Sequence, residues 1–269
     1  MATILKGDCL EVMKGIADKS VDLIICDLPY GCLSAKPLVI PNTENKYRKY
    51  CPPTERQGCS WDVKLNLELF WKEIKRIRKD DHTPTIHFCT TKFGYELIKS
   101  NEKEFRYDLV WDKQRGVSFL SVNKMPMRSH EMIYVFSKAG AKYNRIDIDA
   151  PGKIKRTDGD SNTLRNDNMF GTGLKQSSGA DKDKACIKSV IQITKVGVKT
   201  QSHPTEKPID LYKFLILRYS NEGDTVLDPT FGSGNSGEAC KQLKRRYIGI
   251  EKDDKFFWKY VSKVDGRNL

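Results

Sequence analysis

Paired cysteines, histidine and long apolar runs are what this sequence has little of. Its eight Cys, at 9, 26, 32, 51, 59, 89, 186 and 240, form no CxxC pair, and only four His occur. None of those His (82, 87, 130 and 203) stands at ligand spacing from Cys51 and Cys59, which flank a Pro-rich loop. A metal site is therefore not expected. Free thiols in a reducing cytoplasm are the expectation, with no signal peptide ahead of them. No apolar run approaches the roughly 20 residues of a membrane span, so a soluble chain without a membrane partner is expected.

Charge of one sign is what the sequence has in excess. Lys and Arg number 47 against 35 Asp and Glu, a net charge of +12 over 269 residues. Such a balance points to a polyanionic partner, of which nucleic acid is the commonest. The length suits one sizeable core, or one domain carrying a large insertion.

Along the chain, strand and helix patterns alternate. Ala2 to Leu5 reads as a strand ending at Gly7-Asp8, with Asp8 capping a helix and Glu11 completing a capping box. Val21 to Cys26 is a nearly continuous apolar run, the pattern of a buried parallel strand. It leads into Asp27-Leu28-Pro29-Tyr30, and residues 32 to about 63 read as a long loop. Leu67, Phe70, Trp71, Ile74 and Ile77 have helical spacing. Thr85–Cys89 reads as a strand, Phe93–Ile98 as a helix, and Tyr107–Trp111 and Met132–Phe136 as two more strands. Pro208 opens a helix with Leu211, Phe214, Leu215 and Leu217 on its apolar face. A strand at 225–227, a Gly-rich turn, a helix through Leu243, a strand at 247–250 and a last helix with Phe256, Phe257 and Tyr260 close the chain. The class is α/β, with a single mostly parallel twisted sheet.

Composition changes between Lys138 and Ser202. Gly, Asn, Asp, Ser and Lys dominate, and 13 Lys and Arg face seven Asp and Glu, half of the chain's positive excess. A disordered insertion would account for this. The strand-like run Ile187–Ile193 argues instead for a small folded unit.

Two constellations carry chemistry. Asp228-Pro-Thr-Phe-Gly-Ser-Gly-Asn-Ser-Gly237 closes a strand and opens a helix, and Gly232, Gly234 and Gly237 make a GxGxxG. Small residues let backbone approach a ligand, and Glu251, nineteen residues after Gly232, can accept hydrogen bonds from ribose hydroxyls. An adenosine-containing cofactor follows, with NAD and S-adenosylmethionine both open on the glycines alone. Asp228 favours the second, because a carboxylate there would repel a pyrophosphate and suits the cationic methionine moiety.

Asp27-Leu28-Pro29-Tyr30 is the second constellation. By itself it could be an ordinary turn after a strand. It also has the parts to activate an exocyclic amine, a poor nucleophile whose lone pair is delocalised into its ring. Asp27 and the carbonyl of Leu28 can accept the two N–H hydrogens and turn the lone pair toward a methyl sulfonium. Pro29 restrains Leu28 to extended backbone, and Tyr30 offers a face for stacking on a base taken out of the duplex.

With these motifs in place, the sequence resembles the amino-group DNA methyltransferases of the β order, nearly throughout outside 138–186. Asp27-Leu-Pro-Tyr30 resembles the family's D-P-P-Y, and Asp228 to Gly234 its cofactor motif D-P-F-x-G-S-G, with Gly232 and Gly234 in the matching places and Phe231 beside them taken as cofactor-binding too. His203-Pro-Thr-Glu-Lys-Pro208 resembles the segment before the cofactor strand, which carries Thr205 and Lys207 over as cofactor-binding. Glu251 matches the ribose position and Asp8 the position near the adenine. Trp111-Asp-Lys113 through Ser129-His-Glu131 resembles the stretch between catalytic and recognition parts. Leu28 in place of the first Pro, and Asn235 in place of Thr, depart from the pattern.

The resemblance implies a permuted Rossmann-like fold with helices on both sheet faces, S-adenosylmethionine as cofactor and double-stranded DNA as partner. A second copy of the chain is a further candidate partner. It divides the chain into a catalytic half (1–137), a target-recognition insertion (138–202) and a cofactor half (203–269). The implied reaction is direct displacement onto a flipped base, with no Pro-Cys pair of the cytosine-C5 type. Asp at position 27 favours N6 of adenine, since N4-cytosine members tend to carry Ser there. An NAD-dependent dehydrogenase and a catalytically inactive DNA-binding relative are the other readings of these residues. For DNA contact, the candidates are Lys46, Arg48 and Lys49 in the first loop, and Arg145, Arg156 and Arg165 in the insertion, with Asn166 and Asn168 beside them.

Overall fold

Three short runs too apolar to face water set the centre of the sheet. The computed structural model describes residues 2–30, 63–117, 122–149, 184–197, 203 and 205–265. In it β2 (Leu23–Cys26), β3 (Thr85–Cys89) and β9 (Thr225–Asp228) are buried at every residue, as strands covered on both faces must be. β2 lies between the other two, parallel to both. Beyond β9 come β10 (Arg246–Glu251) and β1 (Ala2–Lys6), again parallel, with Ala2 beside Tyr247 and Lys6 beside Glu251. The two ends of the chain thus share one half of the sheet, as the permuted order requires. Beyond β3 lie β5 (Arg128–Phe136), β4 (Phe105–Val117) and β8 (Val190–Gln192), giving the order β1-β10-β9-β2-β3-β5-β4-β8. Among the described residues of this sheet, only the β3–β5 and β5–β4 pairings are antiparallel.

Alternating strand side chains feed two cores. Leu23 and Ile25 pack with α4 (Ile209–Tyr219), α5 (Asn235–Gln242) and α6 (Asp254–Asp265) on one face. Ile24 and Cys26 pack with α1 (Cys9–Met13), α2 (Leu67–Ile77) and α3 (Thr91–Ser100) on the other. α2 shows how locally this is encoded. Asn66 caps it by accepting from Leu69 N, and its buried residues Phe70, Trp71, Ile74 and Ile77 fall on one stripe.

Several expectations change. Asp8 does cap α1, accepting from Leu10 N at 3.0 Å, but Glu11 pairs with Lys14 and completes no capping box. Pro208 is the N-cap of α4 and precedes its first turn. The buried face of α4 is Leu211, Tyr212, Leu215, Ile216 and Tyr219, with Phe214 and Leu217 only half-buried. β4 and β5 are longer than their apolar cores indicate, because polar residues continue the hairpin past the covered part of the sheet.

The insertion also narrows. The compact units are 1–144 with 189–269, and Arg145–Lys188. Residues 138–144 stay with the larger unit through backbone bonds from Ala139, Lys142 and Asn144 to Asp81, His82 and Arg218. The strand-like run near 190 belongs there too: β8 pairs in parallel with β4, and Ile191 is buried in the large core. In the smaller unit the described residues form a two-stranded antiparallel ribbon, β6 (Ile148–Asp149) with β7 (Lys184–Ala185). Among the described residues no helix is long and apolar enough to cross a membrane.

Candidate active site

β9 and β2 are adjacent and parallel, so the segments leaving their carboxyl ends emerge side by side. A cavity of about 290 Å³ opens there, between the turn after β9, the loop after β2, the β1–α1 junction and the segment before α4. Open α/β sheets bind ligands at this edge.

The turn after β9 is built around Asp228. Its carboxylate accepts from Thr230 N at 3.1 Å and from Ser236 Oγ at 2.6 Å, and it is 1% exposed. Burial pushes its pKa up to about 7, against those two hydrogen bonds. Asp228 therefore stands behind the turn and does not line the cavity, contrary to its expected place beside the methionine moiety.

The glycines divide in the same way. Gly232 has φ +49° and lines the cavity, and its N–H donates to Glu251 Oε2 at 2.9 Å. Gly234, with φ +76°, faces α6: a Cβ there would meet the Tyr260 ring at 2.0 Å. Gly237 would meet the Tyr260 hydroxyl at the same distance. Of the three glycines, two make room for an aromatic ring of the protein and one lines the cavity.

The other expected cofactor residues converge on the cavity. Asp8, Thr205, Lys207, Phe231 and Glu251 all line it, joined by Phe256 and His203. Glu251 Oε1 accepts from Asp253 N, and burial raises its pKa. Asp8 Oδ2 pairs with Lys252 at 3.1 Å. The His203 ring packs on Phe256, centroids 4.1 Å apart, and burial lowers its pKa to about 4, so it is neutral at pH 7.

Asp27 and Pro29 line the same cavity from the β2 side. Tyr30 donates its hydroxyl to Asp27 Oδ1 at 2.8 Å, and its ring stands 5.0 Å from Phe93. Leu28 is buried in the core with Phe70 and Phe93, which gives a physical account of its departure from Pro. The side chain anchors this stretch by apolar burial where a second ring would restrain it by backbone geometry. Asn235, the other departure, donates to Glu206 Oε1 at 2.9 Å and to the Lys207 carbonyl at 2.8 Å. It ties the start of α5 to the segment that carries Lys207.

Lys207 itself points at the catalytic motif. Its ammonium is 2.6 Å from Asp27 Oδ2 and 3.5 Å from Glu131 Oε2, and Lys113 holds Glu131 Oε1. Two lysines and two carboxylates thus form a buried neutral quartet. Burial works against the Lys207 ammonium, but Asp27 and Glu131 outweigh it and hold its pKa above the ordinary lysine value. Burial likewise works against ionised Glu131, and the two lysines hold its carboxyl below the usual range. At Asp27 burial dominates and raises the pKa, with Lys207 opposing and Glu131 adding. Glu131 and Lys113 sit in a stretch whose resemblance is visible in the sequence, but nothing in their spacing reveals that they join Asp27 through Lys207.

Of the expected DNA-contacting residues, Arg145 is described: its guanidinium takes both carboxylate oxygens of Asp147 at 2.8 Å. Lys46, Arg48, Lys49, Arg156, Arg165, Asn166 and Asn168 lie outside the described residues.

Known proteins share this arrangement. A family model described as DNA methylase matches residues 21–261. The type II methyltransferase M.HinfI of Haemophilus influenzae is 28% identical over 94% of this chain and 66% of its own length. M2.MboI of Moraxella bovis is 25% identical over 94% of this chain and 84% of its own. In fold, the chain is similar to M1.HpyAVI solved with S-adenosylmethionine (SAM), with a TM-score of 0.59 at 19% identity over 98% of this chain and all of that one. It is also similar to the cytosine-N4-specific PvuII DNA methyltransferase, with a TM-score of 0.61 at 15% identity over 95% of this chain and 83% of that one. The dehydrogenase reading of the glycines falls with these matches. With its cavity at the β9–β2 edge and Asp27 on the cavity wall, the chain belongs to the DNA methylase family of S-adenosylmethionine-dependent amino-group methyltransferases.

Proposed function

We propose that this protein methylates N6 of adenine in double-stranded DNA at a specific sequence, acting on a base flipped out of the helix. The observation that carries the proposal is the placement of the Asp27 carboxylate on the wall of the cavity that Glu251, Phe231 and Asp8 also line. S-adenosylmethionine held there by these residues would supply an electrophilic methyl to the amino nitrogen, with the C–S electron pair leaving on S-adenosylhomocysteine.

The chain's own residues fit that task. Glu251 is placed to take ribose hydroxyls, Asp8 to stand near the adenine, and the rings of Phe231 and Phe256 to cover apolar surface. Gly232, whose left-handed backbone brings main chain to the cavity, leaves room for close approach. Asp27 accepts one N–H of the target amine and the Leu28 carbonyl the other. Both help most when positive charge develops on that nitrogen, which is where transition-state stabilisation is gained. The proton lost after attack leaves past Asp27 to solvent, so Asp27 serves as an acceptor more than as a strong base.

N4 of cytosine is the second reading, favoured by the fold likeness to a cytosine-N4-specific enzyme. Asp27 favours adenine. Mass spectrometry of nucleosides from DNA treated with the protein separates the two: N6-methyladenine supports the proposal and N4-methylcytosine replaces it. Absence of any methylated base would favour an inactive relative. Asp27→Ala should lower methyl transfer on the order of 100- to 1000-fold, the loss typical of one preorganised hydrogen-bonding group. Binding of S-adenosylmethionine should stay nearly intact.

Base recognition is assigned to the part of 138–202 that lies outside the main sheet, Arg145–Lys188, where Arg145, Arg156 and Arg165 can pair with purine edges, and backbone contact to Lys46, Arg48 and Lys49. Exchanging that segment with one from a relative of different specificity should carry the target sequence with it. Retention of the original site would move recognition elsewhere, most simply into the 32–63 loop.

A further inference from the structure

Lys207 stands between two carboxylates and belongs fully to neither. Its ammonium donates to Asp27 Oδ2 at 2.6 Å and to the Thr205 carbonyl at 3.2 Å, over the face of Phe88. Glu131 Oε2 is 3.5 Å away. That oxygen is buried and, among the described residues, has no hydrogen bond of ordinary length, whereas its twin Oε1 is held by Lys113. A buried acceptor so weakly satisfied is costly, and here the cation that pairs with it stands roughly half an ångström or more beyond hydrogen-bond distance.

This arrangement also burdens Asp27. Oδ1 takes the Tyr30 hydroxyl and Oδ2 takes Lys207, so both oxygens that a target amine would use already accept a hydrogen bond. A small shift of the ammonium from Asp27 toward Glu131 would relieve both faults. It would clear Oδ2 for an entering N–H and satisfy Glu131 Oε2, with the positive charge kept inside the quartet.

We propose that Glu131, fixed by Lys113, is a positioning residue for methyl transfer: it draws the Lys207 ammonium off Asp27 as the target amine arrives. The inference rests on Asp27 being the amine's acceptor. No covalent bond or proton changes hands in the step. Lys207 stays charged and moves from one carboxylate to the other.

The pH profile of kcat/KM tests it, because its acid limb reports the ionisation the free enzyme needs. Asp27 is faced by Tyr30 from its own loop, Lys207 from the segment before α4, and Glu131 on β5 with Lys113 on β4 behind it. Asp228 on β9 and the thiols of Cys26 and Cys89 are close enough to act on the same field. Glu131→Gln removes a negative neighbour, so the acid limb should move to lower pH. Left with no second carboxylate, Lys207 should stay on Asp27 and slow single-turnover methylation about tenfold or more, the size expected for coupled charges in contact. Affinity for S-adenosylmethionine should stay within about twofold, since no contact to the cavity's cofactor side is lost. Lys207→Met should move the acid limb the opposite way. Because Glu131→Gln leaves Lys113 buried and unpaired, Lys113→Met/Glu131→Gln, which keeps the quartet neutral, is the companion variant and should slow in the same manner. Wild-type rate and pH profile in both Glu131 variants, with Asp27→Ala inactive, would overturn the proposal. Near-wild-type activity in Asp27→Ala would overturn the reading of Asp27 beneath it.

Discussion

His87 offers a stability test that follows from its surroundings alone. It lies at the centre of β3, fully buried, with the rings of Phe70, Trp71 and Phe136 at 5.2–5.6 Å. Neither ring nitrogen has a hydrogen-bond partner among the described residues. Burying polar atoms unpaired costs roughly 1–3 kcal/mol. Leu has nearly the same volume and no polar atom, and a volume-conserving swap loses at most about 1.5 kcal/mol in packing. His87→Leu should therefore be stabilising by about 1 kcal/mol at pH 7.5, or about 2–4 °C in Tm for a unit of this size. The pH dependence sharpens the test. Burial lowers the His87 pKa from 6.5 to about 3. Between those values the unfolded chain binds a proton that the folded chain does not, so wild-type stability falls as pH drops below 6.5. The variant lacks that loss, and its advantage should widen by about 1.4 kcal/mol at pH 5.5. Absolute curves mix opposing groups, because burial raises Asp228 to about 7 and makes it stabilising on the acid side. The difference between variant and wild type isolates His87. Thermal melts from pH 7.5 to 5 supply it. Parallel curves would show that the imidazole is solvated or paired, and lower stability at pH 7.5 would show that its packing outweighs its polarity.

The divided roles in the cofactor turn make three further tests. Gly234→Ala should destabilise by about 2–4 kcal/mol, since it adds left-handed strain and drives a Cβ into Tyr260; an unchanged melting curve would refute the packing role. Asp228→Ala should cost about 1–3 kcal/mol of stability by leaving Thr230 N unpaired and Ser236 Oγ with the Tyr247 hydroxyl as its remaining partner, with denaturant unfolding as the measurement. Glu251→Ala should instead weaken S-adenosylmethionine binding by about 1–3 kcal/mol in calorimetry, the worth of hydrogen bonds to a charged group; undiminished affinity would remove Glu251 from the ribose.

Local pattern decides how much of this could be read from the sequence. β3 was legible to the residue and α2 through its apolar spacing, because both patterns are encoded within a dozen positions. The edges of the sheet were harder. β4 and β5 extend through polar residues that no alternation marks, and the strand-like run Ile187–Ile193 marks β8 but not that it pairs with β4 at the edge of the main sheet. The GxGxxG shows a different limit. Glycine reports that something comes close to the backbone but not what, and at Gly234 and Gly237 it is Tyr260, some two dozen residues further along and equally readable as an ordinary core aromatic.

The quartet at Asp27 was not legible for a reason that also explains how the site works. Asp27, Lys113, Glu131 and Lys207 come from four segments, and only the strand order brings them together: β2 beside β3, β3 beside β5, β5 beside β4. Asp27 and Lys207 each belong to a recognisable motif, but Lys113 and Glu131 in isolation look like ordinary surface charges. The same neighbour relations join the two motifs that were legible. Leu23 lies against Val226, Thr230 donates to the Asp27 carbonyl at 3.2 Å, and Asp22 accepts from Thr225 N at 2.9 Å. Cofactor turn and catalytic loop are thus tied by direct bonds across about two hundred residues of sequence. A displacement of one cannot leave the other in place. Asn235 extends the tie to the Lys207 carbonyl, so the cation opposite Asp27 is held by the helix that begins at the cofactor turn. A change at that turn should consequently reach Asp27 through two routes, the Thr230 bond and the Lys207 ammonium. The turn after β9, the Asp27 loop and the Lys207 segment are then one bonded unit, although the sequence writes them as separate motifs.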